Sequence, residues 1–286
     1  MKIFSEGEKM STVSDIQFPS STQFGFLLLG IVYLLLPVTA FLILRKYRAA
    51  QWIPVMLGAI IYLFTTRLND IMIGALFSSA NQQFKIVMAS LTVGIFEESG
   101  RYFAMKYPLA YYRNTGDALS LAIGHGGTEC IIRAVRAFQS FGYGNRFNDG
   151  GILSFTAGHT DAEAATITQT LTDLSSQTFT VNFLQCLCAA SALLVHFALS
   201  VLILHAVRYE SKRKLFLAIG LHILLNGTAF DFSFFGQVCS KFLTLILEVA
   251  MVMFIMKKLD GKALLMEIRD NAFFQSDDIK IDRRRS

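Results

Sequence analysis

An all-α, polytopic membrane bundle of about seven helices is what this sequence predicts, and three observations predict it. Of its 286 residues, 53% are hydrophobic and only 16% are charged, against about 25% charged in soluble domains. The apolar residues gather in stretches of about 20, the length that crosses ~30 Å of hydrocarbon at 1.5 Å per residue. Lys and Arg gather at the ends of those stretches. The mean hydropathy is +0.47. The net charge of +5 is therefore a topology signal and not a nucleic-acid footprint.

The elements follow in order. Residues 1–21 form a polar N-terminal segment, disordered or interfacial, with no cationic stretch and short apolar core of a removable signal peptide. Span one runs from about Thr22 to Leu44 and ends in Arg45-Lys46-Tyr47-Arg48. Span two, roughly Gln51 to Phe77, contains Arg67 and Asp70, whose i, i+3 spacing predicts an ion pair within the helix. Span three, about Phe84 to Met105, carries Glu97-Glu98-Ser99-Gly100-Arg101. Span four, about Asp117 to Phe138, carries Gly124-His125-Gly126-Gly127-Thr128-Glu129. The polar stretch 139–180 reads as an extracytoplasmic loop with an interfacial helix around Asp161 to Leu174. Span five (about Asn182 to Val207) holds His196 and His205, and span six (Leu215 to about Phe230) holds His222 and Asn226. Span seven, about Phe234 to Met256, holds Glu248 and ends at Lys257-Lys258, so the membrane domain covers 22–257. A charged tail, 258–286, closes the chain at Arg283-Arg284-Arg285-Ser286.

Seven spans place the basic loops on one side. Arg45, Lys46 and Arg48, then Lys106 and Arg113, then Arg208 and Lys212 to Lys214, then the tail, all fall there. The positive-inside rule sets that side in the cytoplasm and the N-terminus outside; Lys85, Arg133 and Arg136 are exceptions. Counted from the cytoplasmic ends at helical rise, Glu98, His125, His222 and His196 lie roughly 10–17 Å deep. A charge at mid-membrane costs at least ~2.5–3.5 kcal/mol, so ionisable residues persist there by facing one another or a wet cavity. Four at similar depth, on four spans, predict one polar site.

The chemistry of that site has several readings. Glu97 and Glu98 project about 100° apart, and Arg101 is within reach of both. On this geometry one carboxylate aims into a cavity as a general base, or the three form a structural ion-pair knot. His125 and Glu129 share a face, and glycines around His125 strip side chains so that a helix or substrate backbone approaches closely. His222 and Asn226 repeat the i, i+4 spacing; an imidazole acts as ligand or base, and an asparagine amide donates to an oxyanion. In one mechanism His125, His196 and His222 bind zinc while Glu97 or Glu98 accepts the proton from water. In the other there is no metal: Glu97 activates water with His125, and His222 and Asn226 hold the oxyanion. No His-Glu-x-x-His occurs on one helix. His159 and His205 read as bystanders, Glu248 has no obvious partner, and Cys130, Cys186, Cys188 and Cys239 read as buried apolar thiols.

Glu97-Glu98-x-x-Arg101, His125-Gly-Gly-x-Glu129, His196 and His222-x-x-x-Asn226, in this order on successive spans, resemble the YhfC family of intramembrane proteases. That family is similar to the wider CPBP group, which includes the type II CAAX prenyl endopeptidases and, more remotely, the PrsW proteases and the Aph subunit of gamma-secretase. The resemblance implies peptide-bond hydrolysis in or beside a bacterial plasma membrane, on a membrane-embedded peptide or lipidated protein. It implies Glu97 as water activator and His222 with Asn226 as the last motif. The arginine stands one residue nearer the glutamates than in the CAAX pattern. Two other classes stand beside the protease: a non-catalytic scaffold or peptide-binding subunit, as in the Aph relative, and a proton-coupled transporter, against which the absence of an inverted repeat counts.

Overall fold

The computed structural model describes residues 16–47, 49–231 and 236–269. The first fifteen residues, Arg48, the start of span seven (234–235) and the tail from 270 with its terminal arginines lie outside the described residues. Among the described residues every regular element is a helix. They are α1 (Ser20–Lys46), α2 (Trp52–Phe77), α3 (Gln82–Lys106), α4 (Thr115–Gly150), α5 (Leu153–Thr156), α6 (Asp161–Ser175), α7 (Phe179–Arg208), α8 (Lys212–Asp231) and α9 (Gln237–Lys258). A further helical stretch covers 261–269.

The seven expected spans coincide with α1–α4 and α7–α9. Of these, α1, α2, α7 and α9 are both long and apolar enough to cross a bilayer, and α7 is the most enclosed by protein. The other three, α3, α4 and α8, are the helices whose polar side chains interrupt the hydropathy. The fold class is a helical membrane bundle.

One boundary differs from expectation. Helix α4 does not stop near Phe138 but runs on to Gly150, through a segment whose Gly, Ser and Asn read as loop. Tertiary packing accounts for it: Phe147 is buried with Ile16, Phe18, Phe26 and Leu171, and Phe141 packs against the same cluster. Asn148 holds the chain there by donating Nδ2–H to the Phe18 carbonyl at 2.9 Å and accepting the Phe18 N–H at 3.4 Å. The helix expected near Asp161 is present as α6, whose Thr160–Glu163 capping box satisfies its first N–H groups.

Two compact units emerge, one of Met1–Tyr33 with Ile132–Cys186, the other of Leu34–Ile131 with Leu187–Ser286. The aromatic cluster just described belongs to the first. The second contains the larger core, in which Leu199, Leu202, Ile203 and Leu204 of α7 meet Met105, Ala118, Leu121, Ala218 and Ile255.

Glycine sets how closely the second unit's helices approach. A Cβ on Gly124 of α4 would collide with the Val55 carbonyl of α2, and one on Gly58 of α2 with the Leu121 carbonyl of α4. The two backbones therefore touch, the small-residue packing of membrane helices, and this contact seats His125 one residue beyond Gly124. Helix α3 packs on α2 and on α8. Asn69 and Thr92 hydrogen-bond between α2 and α3, and Gly94 of α3 lets Ile223 of α8 approach.

Past α9, the stretch 261–269 returns to the helix ends. Glu267 accepts the Thr115 N–H at 2.9 Å and its hydroxyl at 2.8 Å, and receives Arg208 at 2.6 and 3.3 Å. A carboxylate at the N-terminus of α4 also suits the helix dipole. Burial works against the charge of Glu267, but the bonds from Arg208 and Thr115 prevail and hold its carboxyl below the usual range. A depressed folded pKa means stability fully present above the unfolded value near ~4.3 and lost as pH falls through the folded one. Wild type is therefore expected to have a higher Tm than Glu267→Gln at pH 7, with the gap closing on acidification below about pH 4. Thermal unfolding in detergent across pH reads this; a constant gap contradicts it.

Candidate active site and metal centre

Helix α3 brings Glu97, Glu98 and Arg101 to the site, α4 brings His125 and Glu129, α7 brings His196, and α8 brings His222. All lie in the second unit. Glu98, Arg101 and His125 are fully buried, and Glu97, His196 and His222 nearly so.

Glu97 Oε2 is the hub. It lies 2.8 Å from His125 Nε2, 3.4 Å from Arg101 and 3.7 Å from His222 Nε2. Glu98 Oε1 accepts from Arg101 at 2.5 Å and faces His222 Nδ1 at 2.7 Å. Both carboxylates thus enter the network, where the 100° separation predicted only one aimed straight inward. The difference arises because Arg101 and His222 reach toward both acids, so each finds a buried partner.

His196 is defined by its neighbours. Arg101 stands 2.7 Å from Nδ1, and Glu129 stands 2.9 Å from Nε2. A guanidinium has only donors, so Nδ1 must accept. The ring is then neutral with its proton on Nε2, donated to the Glu129 carboxylate. His125 packs edge-on to Tyr62, with ring centroids 5.2 Å apart. The centroids of His125 and His196 are 5.3 Å apart, and those of His196 and His222 are 6.0 Å apart. Gly126 makes room for this: a Cβ there would sit 2.8 Å from His196 Cδ2.

The arrangement suits a cation. Donor atoms of Glu97, His125 and His196 all lie within 4.8 Å of one another. The buried His125 Nδ1 has no hydrogen-bond partner, so that imidazole keeps a nitrogen unused beyond its contact with Glu97. A carboxylate with two imidazoles, all neutral or anionic donors, suits Zn²⁺. His196 joins such a set only by exchanging the Arg101 donor for the ion, with Arg101 staying on Glu98. This set differs from the three histidines singled out by sequence, with Glu97 in the place of His222. The sequence signal for it was present in the polar face shared by Glu97 and Arg101, read there as a base and its partner.

Some residues stand apart. Asn226 lies one turn beyond His222, but its buried Nδ2 has no partner among the described residues. His205 is off the network, its ring 5.5 Å from Tyr209. Glu248, which had no visible partner in the sequence, accepts a hydrogen bond from Ser191 of α7, a separation of 57 residues that hides the pairing. Cys130, Cys186 and Cys188 are buried as expected and in no disulfide among the described residues, whereas Cys239 is exposed.

A family model described as YhfC intramembrane metalloprotease matches residues 32–253, a range that contains every residue of the network. Over 147 residues the chain is 31% identical to the uncharacterized membrane protein YhfC of Bacillus subtilis (strain 168), covering 50% of this chain and 55% of that protein. The match therefore spans about half the length of the curated relative. No solved structure matches the chain.

Proposed function

The chain belongs to the YhfC intramembrane metalloprotease family, and from that premise we propose that it hydrolyses a peptide bond of a membrane-embedded or lipid-anchored protein in a bacterial plasma membrane. The observation that carries the reading is the convergence of Glu97, His125 and His196 donor atoms within 4.8 Å, inside a buried site assembled from three helices.

In this reading Glu97, His125 and His196 hold a zinc ion, which when bound supplies a water of lowered pKa and polarises the scissile carbonyl. The remaining steps belong to the chain. His222 moves the proton: the Glu98 carboxylate holds its Nδ1–H, which leaves Nε2 free to take a proton from water and return it to the leaving amine. Glu98 is a positioning residue, fixing that ring's orientation. Arg101 balances the two acids across 2.5 and 3.4 Å. Glu129 orients His196 through Nε2, the supporting carboxylate common beside ligating imidazoles. Asn226, on the same face as His222, would donate its amide to the oxyanion.

The test is cleavage in proteoliposomes of single-span peptides and of a lipidated peptide, with products mapped by mass spectrometry. Wild type is expected to cut within or beside the span, to lose activity to a zinc chelator and to regain it with added zinc. Stable binding of the peptides without cleavage, in zinc-replete protein, would instead support a scaffold.

A further inference from the structure

Ser200 of α7 departs from the way this bundle treats its buried hydroxyls. Those of Thr65, Thr92, Ser120 and Ser191 each donate to the carbonyl one turn earlier on their own helix. Ser200 is fully buried and stands one turn after His196, yet its Oγ has no hydrogen-bond partner among the described residues. A buried hydroxyl left open calls for an explanation. Arg101 Nε, also fully buried, is unpartnered in the same way.

The fold brings these two residues to one level. Helices α3 and α7 end on the same side of the second unit: Arg208, the last residue of α7, donates its Nε–H at 2.6 Å to the carbonyl of Arg113, just past the end of α3. Counted from those ends at helical rise, the Arg101 Cα lies ~7.5 Å in, Ser200 ~12 Å and His196 ~18 Å. The Arg101 side chain climbs toward the start of α3, as helical side chains do, to reach Glu98 at 2.5 Å and His196 Nδ1 at 2.7 Å. On the way it crosses the level of Ser200, which shares a face of α7 with His196. Nε–H and the Nη2 group lie along one edge of the rigid guanidinium. Nη2 on that edge meets His196 and stands 3.4 Å from Glu97, while Nε–H beside it, nearer the stem, has no acceptor.

His196 offers one lone pair at Nδ1, because Nε2 carries the proton given to Glu129. The inference rests on the metal reading above, in which that lone pair and Glu97 serve the ion. A guanidinium and a metal cannot share one lone pair, so Arg101 must leave His196 as the site is loaded. It keeps Glu98 through Nη1, but its other edge is then left buried without an acceptor, which is costly for a charged group. We propose that Ser200 Oγ is the acceptor Arg101 turns to, unpaired while the guanidinium holds His196 and paired when the site is loaded. Ser200 is thus a positioning residue that acts through Arg101 and sets how readily the site accepts a metal.

The test measures zinc affinity by competition with a chelator, on full-length protein in detergent, with thermal unfolding of the metal-free form beside it. Ser200→Ala is expected to weaken zinc binding at least tenfold, the loss of one hydrogen bond to a charged group. Its metal-free Tm is expected to stay at the wild-type value or rise, because the hydroxyl removed has no partner in that form. A merely structural role predicts the reverse, a lower metal-free Tm with affinity unchanged. In the double variant Arg101→Leu, Glu98→Leu, where no guanidinium has to move, adding Ser200→Ala is expected to leave zinc affinity unaltered. A zinc-loaded structure is expected to show Arg101 Nε or Nη2 within hydrogen-bonding distance of Ser200 Oγ. Equal affinity in wild type and Ser200→Ala, the same loss in both backgrounds, or a loaded structure with Arg101 still on His196 would each overturn the proposal. Wild type that takes up no zinc overturns the metal reading and this proposal with it. No readout uses cleavage, so a failure to hydrolyse peptides tells against the hydrolase alone.

Discussion

Replacing Glu97 with Gln is expected to lower peptide hydrolysis by at least ~10³-fold, while the protein keeps its fold and its solubility in detergent. Glu97 Oε2 lies within 3.7 Å of His125, Arg101 and His222. The amide is close in size, so packing survives; the charge that attracts a cation and balances Arg101 does not. His222→Gln gives the informative contrast. It removes the proton carrier held by Glu98 and should cost ~10²–10⁴ in rate while leaving the Glu97, His125 and His196 donors in place. The assignment with three histidine ligands and Glu97 as base inverts the pattern: His222→Gln would then strip the metal and Glu97→Gln would keep it. Single-turnover cleavage and metal content, measured on both variants, separate the two. Near-wild-type activity in Glu97→Gln contradicts either.

Arg101→Leu is expected to destabilise the protein by about 3–5 kcal/mol, the cost of removing one partner from a buried ion pair. Arg101 is fully buried, bonded to Glu98 at 2.5 Å and to His196 at 2.7 Å. Its loss leaves Glu97 and Glu98 adjacent with only imidazoles to answer them. It also frees His196 Nδ1 from the donor that fixes its tautomer. The double variant Arg101→Leu, Glu98→Leu should recover a large part of the loss, since an uncompensated charge and not a missing contact is the main penalty. Denaturant unfolding in mixed micelles reads both. A loss in Arg101→Leu below about 1 kcal/mol, the range of exposed ion pairs, contradicts the account.

The helices were legible in the sequence because the bilayer demands long apolar segments, and because Lys and Arg at Arg45, Lys106, Arg208 and Lys257 mark their ends. The over-run of α4 was not: the Phe147 to Phe18 contact that keeps 139–150 helical joins residues 129 apart, and no local pattern reports it. In the site, the i, i+4 pairs and the similar depths of Glu98, His125, His196 and His222 pointed to one cluster, and the structure brings those four together. Which atom meets which was beyond reach. That Glu98 holds His222, that Arg101 serves His196 as well as Glu98, and that Glu129 turns to His196 and not along its own helix to His125 depend on how α7 and α8 pack against α3 and α4. Glycines did carry part of this in advance, since Gly124 and Gly126 stand where α2 and His196 come closest.

The central claim is that buried donors of α3, α4 and α7 form one metal site. X-ray absorption at the zinc edge, on protein reconstituted with zinc after chelation and dialysis, tests it most directly. The account predicts one zinc per chain, bound by nitrogen and oxygen with two imidazoles and no sulfur, and absent from Glu97→Gln. Hydrolytically active protein with no stoichiometric metal, or a spectrum with cysteine sulfur at the ion, would contradict it.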